Sequence, residues 1–148
     1  TPAVRHAIDE LAGAGQPFSW GDPLVTFPTA GEWRVPTTGW HIDFPARSNL
    51  RLKWLGYLEP VRPRGGGTVV LAGSHRLVAE VLAERDPADP GRSADLRDAV
   101  LARTGADDVV ELTGEPGDVV FMHPHVFHAP APNHTDEPRL MLTGGLAG

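Results

Sequence analysis

The chain has 148 residues, 41% of them hydrophobic and 22% charged, with 17 glycines, 15 prolines and no cysteine. One core-bearing globular domain fits that length and composition, and zero cysteines exclude disulfide scaffolds, thiolate zinc sites, iron–sulfur clusters and a cysteine nucleophile. The net charge of −6 argues against a nucleic-acid partner, and no apolar run reaches the roughly 18 residues of a membrane span.

The chain opens at Thr1 without an initiator Met or a secretion signal. It is read as a fragment, or as a chain whose start is left out, located in the cytoplasm. Residues 1–13 read as a helix: Thr1 can cap it, Pro2 suits its first turn, Val4, Ile8 and Leu11 share a face, and Gly13 and Gly15 end it. From Phe18 the apolar runs shorten. Leu24–Phe27 and Gly39–Phe44 read as short strands. Asn49–Tyr57 is the clearest one, with Leu50, Leu52 and Trp54 alternating against Arg51 and Lys53. A Pro/Gly turn at 60–67 leads into a strand at Thr68–Leu71.

Residues 77–104 read as an acidic helical insertion. Leu77, Val78, Val81 and Leu82 have helical spacing, the Pro/Asp stretch at 86–91 breaks it, and Ser93 can cap a second helix carrying Leu96, Val100 and Leu101. Strands resume at Val109–Leu112, Asp118–Met122, Val126–Ala129 and Arg139–Thr143. Seven or eight short strands with an N-terminal helix and one helical excursion predict a mainly β fold, a double-stranded β-helix or jelly roll, as a single domain over 1–148. Charge is uneven: residues 80–118 carry 11 of the 19 acids, whereas 34–64 carry six basic side chains (Arg34, Arg47, Arg51, Lys53, Arg62, Arg64). Both stretches read as solvated faces.

His41-Ile-Asp43 is an H-x-D pair in a strand-like run, where positions i and i+2 point to one face and can converge on a metal. The pattern recurs at His134-Thr-Asp136 in a turn-like stretch, so alone it is weak. A facial triad of two histidines and a carboxylate needs a third ligand from a distant strand, and His123, His125 and His128 are the candidates. Arg139, 11 residues beyond His128, offers an always-charged planar fork suited to a dicarboxylate. Thr143 shares its face. Trp33, Trp40, Trp54 and Phe121 are candidates for lining a pocket, although aromatic residues on strands belong more often to the core. His75 in Gly-Ser-His-Arg reads as a residue that locks a turn through hydrogen bonds, and Asp118 as turn chemistry.

Three blocks together resemble the phytanoyl-CoA dioxygenase-like family. Gly39-Trp-His41-Ile-Asp43-Phe-Pro45 is similar to its metal-binding strand, and Gly65 through Arg76 to its glycine-led strand and Pro-Gly-Ser-His turn, with Ala72 in place of the proline. Gly117-Asp118 through His128, Asn133 and Pro138-Arg139 is similar to its closing block. The helical region that precedes the first block in that family is nearly absent.

The resemblance implies a double-stranded β-helix using Fe(II), 2-oxoglutarate and O2. His41, Asp43 and His128 would bind iron, and Arg139, with Thr143 as a further candidate, would bind 2-oxoglutarate. The implied reaction is hydroxylation of a small organic substrate with release of succinate and CO2, and the basic stretch at 34–64 hints at an anionic one. No nucleic acid or membrane is expected as a partner. The alternative is a cupin-like metal-binding module or metal-dependent isomerase that uses no 2-oxoglutarate and has no need of Arg139. An iron halogenase of this fold would replace the carboxylate by a small residue, and Asp43 argues against it.

Overall fold

The computed structural model describes residues 1–16, 21–43, 50–86, 93–105 and 108–147. Helix α1 (Pro2–Ala12) begins where Thr1 Oγ1 accepts from Val4 N–H at 3.4 Å, and it stops at Gly13, whose φ of 94° suits a residue without Cβ. An 11-residue helix is marginal by itself in water, and α1 gains its stability by burying Ile8 and Ala12 against Leu52 and Leu146.

Four antiparallel strands form one sheet in the order β1 (Asp22–Thr26), β7 (Arg139–Ala147), β2 (Leu50–Tyr57), β5 (Val119–Met122). Three more form a second sheet in the order β4 (Val109–Glu111), β3 (Thr68–Leu71), β6 (His128–Pro130). Beyond β6 this second sheet gains a single antiparallel bridge between His41 and His128. Helices α2 (Ser74–Ala83) and α3 (Ser93–Leu101) bury Val78, Val81, Leu96 and Val100 in a core with Val69, Leu71, Trp40 and Phe127. Leu55, Tyr57, Val61 and Met141 form a separate cluster with Leu24, Leu112 and Val120 packed against it. The architecture is the mainly β jelly roll that the strand count predicts.

Three expectations need correction. The strand at Gly39–Phe44 reduces to the one bridge at His41, with Phe44 outside the described residues. Gly39 has a φ of 82°, which turns the backbone out of the extended region just before the bridge. The strand at Val126–Ala129 starts two residues later, because Pro124 lies in a turn closed by Val126 N–H donating to the His123 carbonyl at 3.0 Å. His123 and His125 therefore do not share the face of a strand. The last strand runs to Ala147 rather than Thr143. Gly144 does not end it: the Trp54 ring lies over that residue, and a Cβ there would come within 2.6 Å of the ring. Glycine permits this close approach.

Strand β2 holds a further correction. Alternation sends Leu52 and Trp54 to one face and Lys53, Leu55 and Tyr57 to the other. Both faces are covered, one by α1 and one by the opposing sheet, so Lys53 is 7% exposed instead of solvated. Of the pair expected on a polar face, only Arg51 is exposed.

Candidate metal centre

The His41–His128 bridge is a hydrogen-bonded pair: each residue's N–H donates to the other's carbonyl at 3.0 Å. Directly opposed residues on antiparallel strands present their side chains on one face, and the two imidazole rings lie 4.5 Å apart between centroids. Trp40 and Ile42, on the alternate positions, pack into the core beneath the helices. Asp43 follows His41 by two residues and returns to the same side. His41 Nε2 stands 3.1 Å and His128 Nε2 3.3 Å from Asp43 Oδ1.

Proton placement at these rings follows from their other nitrogens. His41 Nδ1 lies 2.6 Å from the Gly39 carbonyl and His128 Nδ1 lies 3.0 Å from the Val126 carbonyl. A carbonyl only accepts, so each Nδ1 carries a proton, and it is the Nε2 atoms that turn inward toward Asp43. Burial pulls His128 down to about 4, so it is neutral at ordinary pH. The Nε2 atoms of both rings and a carboxylate oxygen therefore face one another. These ligand atoms lie within 4.8 Å of one another, and a divalent cation is the group this donor set fits.

Ser74, rather than His75, steadies this region. Ser74 Oγ is fully buried and accepts from Phe127 N–H at 2.9 Å, immediately before His128. His75 Nδ1 is buried and has no hydrogen-bond partner among the described residues, which corrects the expectation that His75 locks the turn. Asp118 does act within a turn, its Oδ2 accepting from Glu115 N–H at 2.8 Å.

Arg139 sits at the start of β7 and is 3% exposed. Its Nε donates to the Gly66 carbonyl at 2.7 Å and its Nη2 to Thr26 Oγ1, while Nη1 is buried with no partner among the described residues. Burial brings the group down to about 10, still charged at neutral pH. Met141 and Thr143 share its face of β7, with Tyr57 opposite Met141 and Leu55 opposite Thr143. Tyr57 Oη and Thr143 Oγ1 are likewise buried and unpartnered. Buried polar groups are nearly always satisfied, so a guanidinium nitrogen and two hydroxyls left open on one face fit an anionic guest. Tyr57 was not singled out in the sequence, since a tyrosine on a strand reads as core. Its burial raises the phenol's pKa and keeps it a donor.

The four aromatic residues proposed for a pocket do not share one. Trp40 is buried in the core under α2 and α3, with its indole N–H donating to the Pro36 carbonyl at 2.8 Å, and Trp33 packs against the same core. Trp54 and Phe121 are cross-strand partners on the outer face of β2 and β5, away from Lys53. There Phe121, Leu11, Arg51, Leu52 and His123 line a separate cavity of about 220 Å³.

The fold is a jelly roll that brings two histidines and a carboxylate together as a donor set suited to a divalent metal. A family model described as phytanoyl-CoA dioxygenase matches residues 23–141, and the chain belongs to that family. Among solved structures, EvdMO1 superposes with a TM-score of 0.66 at 20% identity, over 100% of this chain and 31% of its own. EvdO2 from Micromonospora carbonacea var. aurantiaca, solved with 2-oxoglutarate, gives 0.60 at 20% identity over 99% of this chain and 58% of its own. The epimerase SnoN, solved with Fe3+, alpha-ketoglutarate and nogalamycin RO, gives 0.56 at 25% identity over 84% and 47%. A curated UDP-N-acetylmuramate–L-alanine ligase from Frankia casuarinae is 30% identical over 115 residues, which is 72% of this chain and 21% of the ligase. The chain thus spans only part of each of these proteins. Among the described residues, no helix is long and apolar enough to cross a membrane.

Proposed function

We propose that the protein is an iron(II)- and 2-oxoglutarate-dependent oxygenase acting on a small organic molecule, with hydroxylation as its reaction. The observation that carries this reading is the pairing of two features in one fold. One is the His41, Asp43, His128 donor set; the other is Arg139, whose Nη1 is buried without a partner. When bound, the iron and 2-oxoglutarate supply oxidative decarboxylation to succinate and CO2, coupled to oxidation of a substrate C–H bond.

The chain's residues have distinct parts in this scheme. The Gly39 and Val126 carbonyls orient His41 and His128, and Asp43 contributes one charge. Arg139, held by Gly66 and Thr26, would bind the distal carboxylate of 2-oxoglutarate through its remaining N–H groups, and Tyr57 and Thr143 would serve as neutral donors. SnoN is described as an epimerase and SnoK as a carbocyclase, so relatives of this fold reach different products. The substrate class and product of this chain are to be read from turnover.

The test is anaerobic calorimetry of the Fe(II)-loaded protein with 2-oxoglutarate, followed by a succinate assay in O2. Saturable binding and O2-dependent succinate are expected, slow even without substrate. Arg139→Ala should retain the metal and lose about 2–5 kcal/mol of 2-oxoglutarate affinity, as for truncating one side of a desolvated charge pair. Metal binding with no 2-oxoglutarate binding in the unaltered chain would overturn the reading in favour of an isomerase-type metal module.

A further inference from the structure

Lys53 is a lysine in the interior, where an unpartnered ammonium is strongly unfavourable. Its side chain crosses from β2 to the metal centre and rests on Asp43 Oδ2. The other carboxylate oxygen, Oδ1, is the one that faces both imidazoles, at 3.1 and 3.3 Å. The two oxygens of Asp43 are therefore divided between two cations: Oδ2 belongs to the lysine and Oδ1 to the ion that His41 and His128 would share. We infer that Lys53 is a positioning residue that restricts Asp43 to one-oxygen ligation of the metal, keeping a coordination position open for the cosubstrate. This inference rests on the oxygenase reading given above.

Coordination arithmetic gives the division its importance. Two histidines and one carboxylate oxygen leave three positions on a six-coordinate ion. A 2-oxo acid chelating through its carboxylate and keto oxygens takes two, and O2 needs the last. Asp43 swinging to chelate through both oxygens would consume one of these. With an ammonium clamped to Oδ2, that swing would strand a buried positive charge. The clamp is also a poor device for holding metal, because a fixed positive charge beside the site opposes a divalent cation. A lysine placed there is therefore better explained by control of coordination than by metal affinity.

The two explanations predict opposite patterns in Lys53→Met, which keeps length and removes charge. The probes are Fe(II) alone, then Fe(II) with 2-oxoglutarate, both under anaerobic conditions, followed through the visible charge-transfer band of a 2-oxo acid chelate. Denticity is read directly from crystals of the Mn(II)-loaded proteins. The expected result is Fe(II) affinity unchanged or tighter and 2-oxoglutarate affinity weaker by about tenfold or more, the scale of losing an outer-shell partner of a metal ligand. Asp43 should bind through one oxygen in the unaltered protein and two in the variant, and Lys53→Arg, which retains a cation, should recover most of the loss.

The inference is overturned if Asp43 keeps one-oxygen ligation in Lys53→Met with 2-oxoglutarate affinity unchanged. It is equally overturned if both oxygens already bind metal in the unaltered protein. A melting curve checks the fold of each variant, and Lys53→Gln serves as the uncharged variant should Lys53→Met fail to fold. If the unaltered protein shows no 2-oxoglutarate band at all, the oxygenase reading is what fails, and the Mn(II) crystals still decide the ligation of Asp43.

Discussion

His128 differs from its neighbours His123 and His125 in where it stands in the chain's hydrogen-bond pattern. It is paired on one side with Val70 of β3 and on the other with His41, so its imidazole is held by backbone on both flanks. His123 is exposed, and its Nδ1 is taken up by accepting from His125 N–H at 3.1 Å. Replacing His128 by alanine should therefore weaken Fe(II) binding by at least about 100-fold, the upper end of what outer-shell losses cost. His123→Ala and His125→Ala should leave it nearly unchanged. Anaerobic Fe(II) titration of the three variants checks the order, and loss of binding in His125→Ala alone would mean that the third ligand has been misassigned.

At the scale of elements, the anchoring of Arg139 depends on the loop before β3. Gly66 supplies the carbonyl that Arg139 Nε uses, has a φ of 75°, and lies so close to Asn133 that an added Cβ would meet the Asn133 Cβ at 2.7 Å. Asn133 is fully buried, and its amide bonds the Thr26 and Glu137 carbonyls, tying β1 to the turn before Arg139. Gly66→Ala is expected to destabilise the fold by about 1–3 kcal/mol from backbone strain, with the clash added to it. It should also reduce 2-oxoglutarate affinity in the folded fraction, read by urea unfolding and calorimetry on one preparation.

Much at this scale is legible in the sequence. The strand at Thr68–Leu71 carries the predicted bounds, α1 ends at its predicted glycine, and His41, Asp43 and His128 come together as the H-x-D spacing and the family blocks imply. Lys53 and Tyr57 were missed for one reason. Period-two alternation assigns charge to solvent and aromatics to core, and it cannot see that both faces of β2 are covered. The bridge at His41 reads as a full strand in the sequence, because composition does not reveal how few residues find a hydrogen-bonding neighbour.

For the molecule as a whole, a buried neutral imidazole makes stability depend on pH. His128 is pulled to about 4 in the folded chain from an ordinary 6.5. Between those values the unfolded chain binds a proton that the folded chain refuses. Stability is therefore full above about pH 6.5 and falls as pH drops through that window toward 4. The loss is on the order of 3 kcal/mol for this group. Urea midpoints of the metal-free protein from pH 7.5 to 4 should show this decline, and His128→Gln should flatten it. A decline that survives His128→Gln would place its origin in other groups.

The one-residue bridge at His41 also limits how this segment can change in length. His41 and Asp43 face His128 only because Trp40 and Ile42 occupy the alternate positions and point into the core. Removing a single residue at 40 or 42 exchanges the two sets: an indole or a sec-butyl group would be turned toward the metal centre, and an imidazole and a carboxylate would be driven into an apolar core. A change by two residues keeps the parity but sets a different residue opposite His128. The segment thus counts in pairs, and its tolerance for insertion is fixed by a parity rule rather than by the room available around it.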